Sequence, residues 1–207
     1  MKLDRLIQLN QLKNKGAFFM LQLMKAFWDY LGNLQSKMVR FIHISIAFLI
    51  ISQIIVSNFM IIDYRTNRLN IGTWIHVSTG FLIFILFFIF FILSIQKRGV
   101  SYFYPYLFNH FFQLKEDVLS LFKLKLPAVK PGGFAPIVQG LGFGALVLVL
   151  VSGLLWFVGW NLNWTDAKYI QSWHKTLTGL VEVYIIAHGV MGIFHFLLEK
   201  YFPHRVG

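Results

Sequence analysis

Four apolar runs, separated by short polar or basic segments, divide the chain. Phe41–Ile62 carries no charge between Arg40 and Asp63, and Ile71–Ile95 is likewise uncharged. Pro136–Trp160 is the third run, and His174–Leu198 the fourth, interrupted by Lys175 and Glu182. Each exceeds the roughly 20 residues that cover about 30 Å of hydrocarbon at 1.5 Å per residue. Their apolarity is continuous rather than alternating, which predicts helices and not a barrel. The pattern therefore predicts an all-α integral membrane protein: a four-helix bundle over residues 37–207, preceded by an amphipathic segment at 1–36.

In that first segment Leu3, Leu6, Ile7, Leu9 and Leu12 recur at helical spacing among Asp4, Arg5, Lys13 and Lys15. Phe18–Leu31 is apolar and aromatic but contains Lys25 and Asp29, too short and too charged for a fifth span. An interfacial helix on the cytoplasmic leaflet is expected, with a docking arm for a partner subunit as the rival. No apolar stretch with a small-residue cleavage site follows the basic start, so no signal peptide is expected. The segment 96–135 is the largest stretch outside the spans: aromatic over Tyr102–Phe112, charged at Lys115, Glu116 and Asp117, then broken by Pro127, Pro131, Gly132 and Gly133. Asn161–Trp173 is expected as an external loop with tryptophan anchors.

Composition agrees. Of 207 residues 57% are hydrophobic and 13% charged, about half the charge of an ordinary soluble domain. The net charge of +11 raises the question of nucleic acid, and its placement answers it. Of the 19 Lys and Arg, seven lie in residues 1–40, six in 97–130, and two at Lys200 and Arg205. With alternating spans these share one side, so the positive-inside rule puts both termini and the long loop in the cytoplasm. No nucleic-acid partner is needed; membrane lipid suffices. The absence of cysteine excludes disulfides, iron–sulfur clusters, zinc–thiolate sites and covalent haem attachment.

Seven histidines are present. His43, His76, His174, His188 and His195 fall in or beside spans, where ionisable groups are expensive and usually face the bundle interior or a ligand. His110 and His204 fall in loop and tail. His174 and His188 are 14 residues apart, close to four turns, so they share a helix face about 21 Å apart along the axis. Antiparallel alternation places His76 level with His174 near the external side, and His43 with His188 nearer the cytoplasm. Paired imidazoles on facing helices suit six-coordinate haem iron, each giving one nitrogen. Gly80, one turn after His76, would allow a flat macrocycle close approach. His195 competes with His188 for His43, but a 21-residue separation on the fourth helix would put the two levels about 31 Å apart.

With Arg40-Phe41-Ile42-His43 on the first helix, Trp74-Ile75-His76-Val77-Ser78-Thr79-Gly80 on the second, and His174 and His188 on the fourth, the chain resembles the bacterial di-haem cytochrome b561 family. Its relatives are the cytochrome b subunits of hydrogenases, formate dehydrogenases and thiosulfate reductases. The resemblance covers about residues 38–200. It implies four helices, two haem b groups held by His43, His76, His174 and His188, and electron exchange with the quinone pool. The 96–135 loop is longer than in compact stand-alone members. The expectation is a respiratory subunit in the bacterial inner membrane, transferring electrons between a catalytic or cytochrome partner and quinone/quinol. One alternative is a stand-alone superoxide:quinone oxidoreductase. Another, from a different class, is a haem-free transporter or scaffold whose histidines bind metal or protons.

Among other residues, Arg40 and Lys37 inside, and Lys175, Arg65 and Arg68 outside, are candidate partners for haem propionates; snorkelling to headgroups explains them equally. Glu182 lies between the two histidine levels. Either it carries protons for quinone chemistry or, as expected, it is a neutral carboxyl bonded to another helix through Gln53 or Asn58. The phenylalanines of Phe81–Phe91 form an apolar wall, either against porphyrin or, as expected, facing lipid.

Overall fold

The computed structural model describes residues 2–66, 68–123 and 125–203, without the side chains of 2–14. The amphipathic pattern read at Leu3–Lys13, and His204 and Arg205, thus lie outside what is described. The chain falls into two compact units, residues 1–41 and 42–207.

In the first unit, α1 (Lys2–Leu34) is one continuous helix, as its Leu, Gln, Lys, Met and Ala content favours. It leaves Phe18, Phe19, Met20, Leu21, Met24 and Trp28 exposed. Arg40 is buried with its guanidinium 4.0 Å from the Trp28 ring centre, and Nη1 donates to the Trp28 carbonyl.

The second unit takes most of α2 (Lys37–Ser57), then α3 (Ile71–Arg98), α6 (Phe134–Asn161) and α7 (Ala167–Tyr201). These four helices are long and apolar enough to cross a membrane. Two boundaries differ from the sequence reading. The first run is helical only to Ser57; beyond it the chain forms a small hairpin of β1 (Ile62–Asp63) against β2 (Arg68–Leu69). Asp63 shapes this turn, accepting from the Arg65 and Thr66 N–H groups and the Thr66 hydroxyl, which hold its carboxylate below the usual range. The fourth helix begins at Ala167, seven residues before His174, because a polar first turn can stay helical outside hydrocarbon; the expected loop shrinks to residues 162–166.

The two ends of this unit are built differently. At the hairpin end Asn70 caps α3: its Oδ1 accepts from the Thr73 N–H at 3.0 Å, and its Nδ2 donates to the Phe59 carbonyl at 2.8 Å. This satisfies orphan donors of the first turn and fixes His76 one turn further on. The Tyr64 hydroxyl accepts from Trp156 Nε1 on α6 at 3.1 Å and donates to Gln171 on α7 at 2.8 Å, tying the hairpin to both helices. Burial raises the Tyr64 pKa, partly offset by the Trp156 hydrogen bond.

At the loop end α3 stops at Gly99, whose φ of +81° suits glycine and whose N–H bonds back to Ile95. The connection holds α4 (Val100–Phe103), a 3₁₀ turn at Pro105–Phe108 and α5 (Phe112–Phe122). Asp117 of α5 is only 4% exposed and accepts from the Phe134 N–H and from Gln113 Nε2, both at 2.7 Å. It thus caps α6 from a different element. The core lies midway between the ends, with Ile46, Ile50, Ile83, Phe87, Phe143 and Val181 buried. Phe87 is 1% exposed, so the phenylalanine run of α3 does not face only lipid: one side of it is core.

Candidate functional site

The bundle brings four of its histidines together in two pairs. At the hairpin end His76 of α3 faces His174 of α7 with ring centres 6.2 Å apart. Nearer the loop end His43 of α2 faces His188 of α7 at 6.0 Å. The pairs are 14 residues apart on one unbroken helix, about 21 Å by helical rise. His195 is half-buried and makes no ring contact with His43 among the described residues; His110 is exposed beside Phe108.

His174 is positioned by α6. Its Nδ1 lies 3.1 Å from the Val149 carbonyl and 3.0 Å from Ser152 Oγ, whose own hydroxyl donates to Val149 at 2.9 Å. A carbonyl only accepts, so we assign the proton to Nδ1, leaving the Nε2 lone pair available to a ligand. Gly153 makes the approach possible: a Cβ there would sit 3.0 Å from Cε1 and 3.3 Å from Nδ1 of His174. Across the gap, the His76 carbonyl accepts from Gln53 Nε2 at 2.9 Å, and Gln53 also donates to Thr79 Oγ1. His76 Nδ1 is buried with no hydrogen-bond partner among the described residues.

Both histidines line a cavity of about 760 Å³ walled by all four spanning helices, the size range of cofactor sites. Val77, Phe81, Phe84, Leu146 and Leu150 make it largely apolar; Lys175 and Glu182 also line it. Gly80 borders it too, and a Cβ added there would meet no atom within 4 Å. The open space beside Gly80 therefore belongs to the cavity. At the loop end each ring of the pair has an aromatic backing. His43 stacks on Phe90 at 5.3 Å, and His188 on Tyr184 at 5.2 Å. Tyr184 in turn occupies the notch over Gly142 of α6, where a Cβ would overlap its ring.

These features fit a haem. Two metal–imidazole bonds of about 2.0 Å, plus about 1 Å from each nitrogen to its ring centre, put bis-histidine rings ~6 Å apart. Both pairs have that spacing. A ligating histidine whose other nitrogen donates to a backbone carbonyl is the usual outer-shell arrangement, and His174 has it. Among the described residues no three His, Asp or Glu side chains gather as a metal-ion site. A model of the prokaryotic cytochrome b561 family matches residues 34–201. The chain belongs to that family. It is accordingly a multi-pass prokaryotic membrane protein, a b-type cytochrome of electron transfer that binds haem. No curated protein and no solved structure matched it.

Of the other residues singled out in the sequence, Lys175 borders the cavity, whereas Arg40 lies in the first unit against Trp28. Sequence reasoning missed Ser152, Gly153, Gln53 and Tyr184 as the residues that seat the histidines. A Ser–Gly pair in the middle of an otherwise apolar span was the available signal for the first two.

Proposed function

We propose that this cytochrome holds two b haems, one between His76 and His174 and one between His43 and His188, and passes electrons between a redox partner and the quinone pool. The observation that carries the proposal is the pair of closely similar histidine spacings, 6.2 and 6.0 Å, at two levels along α7. When bound, each haem would supply an iron that takes and gives one electron, and the two histidines of its pair would hold it.

The chain's own residues do the rest. Val149 and Ser152 fix the His174 tautomer and orientation; Gln53 ties α2 to the His76 turn. Phe90 and Tyr184 hold the second pair by stacking. The apolar walls exclude water, which lowers the local dielectric and tunes potential. Lys175, which lines the cavity, would meet a propionate there. By charge placement the hairpin end faces outward and the 99–133 connection, with both termini, faces the cytoplasm. The exposed apolar residues of α1 suit a leaflet interface.

The test is anaerobic addition of a quinol to the purified protein while following the α band. Reduction supports quinone coupling, and a spectrum unchanged by quinol but reduced by dithionite contradicts it. Co-purification with a large catalytic subunit identifies a respiratory subunit. Quinone reduction by superoxide with the isolated chain identifies instead a superoxide:quinone oxidoreductase.

A further inference from the structure

Away from the histidines, the loop end holds a smaller pocket of about 280 Å³. Arg98, the last residue of α3, lines it together with Ser101, Tyr102 and His110. Because α3 is long and apolar enough to span a bilayer, its final residue stands where hydrocarbon gives way to headgroups. Arg98 Nη1 donates to the Tyr102 hydroxyl at 3.1 Å, and the guanidinium carbon lies 5.0 Å from that ring's centre. Tyr102 thus holds a long cation in one place, and its hydroxyl keeps its own proton to donate.

The pocket has a built frame. The Gly132 N–H donates to the Tyr102 carbonyl at 3.3 Å, and a Cβ on Gly132 would stand 3.4 Å from Pro105. Asn109, at φ +58°, turns the chain so that the His110 N–H returns to the Pro105 carbonyl at 3.0 Å. Pro105, Gly132 and His110 all line the pocket.

Its electrostatics have one sign. No carboxylate lines it among the described residues; Asp117 is buried and capping α6. Lys97 and Lys130 adjoin the lining residues Arg98 and Pro131 in the chain. The border is apolar: Phe112 lines the pocket yet is 77% exposed, and Leu107, Phe108 and Phe111 nearby in the chain are also exposed. A soluble anion would satisfy the cation and leave these side chains in water. A lipid satisfies both, with phosphate in the pocket and its glycerol and acyl chains against the phenylalanines.

We propose that this pocket holds the phosphate of one anionic membrane lipid, with Arg98 as its principal partner and Ser101, Tyr102 and His110 as supporting donors. The guanidinium matches phosphate geometry and stays charged at any physiological pH. Basic pockets beside spanning helices bind acidic headgroups in this way. The inference does not depend on haem.

The test uses purified holoprotein, stripped of lipid by detergent washing and titrated with phosphatidylglycerol or phosphatidylcholine, with bound lipid counted by native mass spectrometry. The wild type should hold one phosphatidylglycerol per chain in preference to phosphatidylcholine, whose ammonium offsets the phosphate charge. Arg98→Gln should weaken that binding at least about tenfold. Lys97→Gln removes the same charge from a residue outside the pocket and should change it by about twofold at most. Ser101→Leu fills the pocket with Arg98 in place and should match Arg98→Gln, which keeps the test decisive if Arg98→Gln fails to fold. Unchanged phosphatidylglycerol binding in Ser101→Leu, or an equal loss in Lys97→Gln, overturns the inference. Displacement of the lipid by an equal concentration of inorganic phosphate overturns it too, marking a free-anion site.

Discussion

Replacing Gly153 should release one haem and spare the other. An alanine Cβ there would stand 3.0 Å from His174 Cε1 and 3.3 Å from Nδ1, so the ring must retreat by a few tenths of an ångström. That movement lengthens the 3.1 Å contact to Val149 and the 3.0 Å contact to Ser152. A hydrogen bond of about 1 kcal/mol is a factor of about five in affinity. Misaligning a metal-bound histidine through its outer shell typically costs about 10- to 100-fold. Gly153→Ala should therefore bind the hairpin-end haem at least tenfold more weakly. Gly153→Val, whose two further methyl groups enter the space of the ring, should leave one haem per chain. The assay is haem titration into apoprotein, read by the Soret band and by pyridine haemochrome. Two haems of unchanged affinity in Gly153→Val would refute the placement of His174 against α6.

Further consequences concern the other pair, the cap and the hairpin. Gly142→Val should displace Tyr184 from its notch and weaken the His43–His188 haem while sparing the first, seen as loss of one component in a redox titration. Asp117→Ala removes the cap of α6 and strands the Phe134 N–H and the Gln113 amide. It should lower stability by about 2 kcal/mol in denaturant titration in detergent, and an unchanged midpoint would argue against the cap. Asp63 has a depressed folded pKa, so its contribution to the hairpin is present above the ordinary carboxylate value of about 3.9 and lost as pH falls through the lower folded value. Hydrogen-exchange protection of Thr66 should drop in that acid window, and Asp63→Asn should remove the drop.

The four spans and the histidine levels were legible because a bilayer demands unbroken apolar length and makes a buried imidazole conspicuous. Antiparallel alternation then sets which histidines meet, and the structure brings together His76 with His174 and His43 with His188. What stayed hidden depends on side-chain direction across helices. Gly153 and Gly142 read as two small residues among many, and only packing shows that one seats His174 and the other Tyr184. In the sequence Asp117 is one of three charged residues in a row, and its role as a cap is hidden because its partner, the Phe134 N–H, lies 17 residues on. Gln53 and Asn58 are both candidates for Glu182 in the sequence, whereas the Gln53 amide donates to the neighbouring helix at His76 and Thr79. The end of the first span was misread because Phe59–Ile62 is as apolar as the helix before it; the Asn70 side chain, by bonding Phe59 and Ile61, turns that stretch into a hairpin approach.

The most direct test of the central claim is the haem count per chain in the wild type, His76→Ala and His43→Ala, by pyridine haemochrome on protein purified with ample haem. The account predicts two haem b groups in the wild type and one in each variant, with different components surviving in the reduced-minus-oxidised spectrum. A single haem in the wild type, or loss of the same component in both variants, would contradict it.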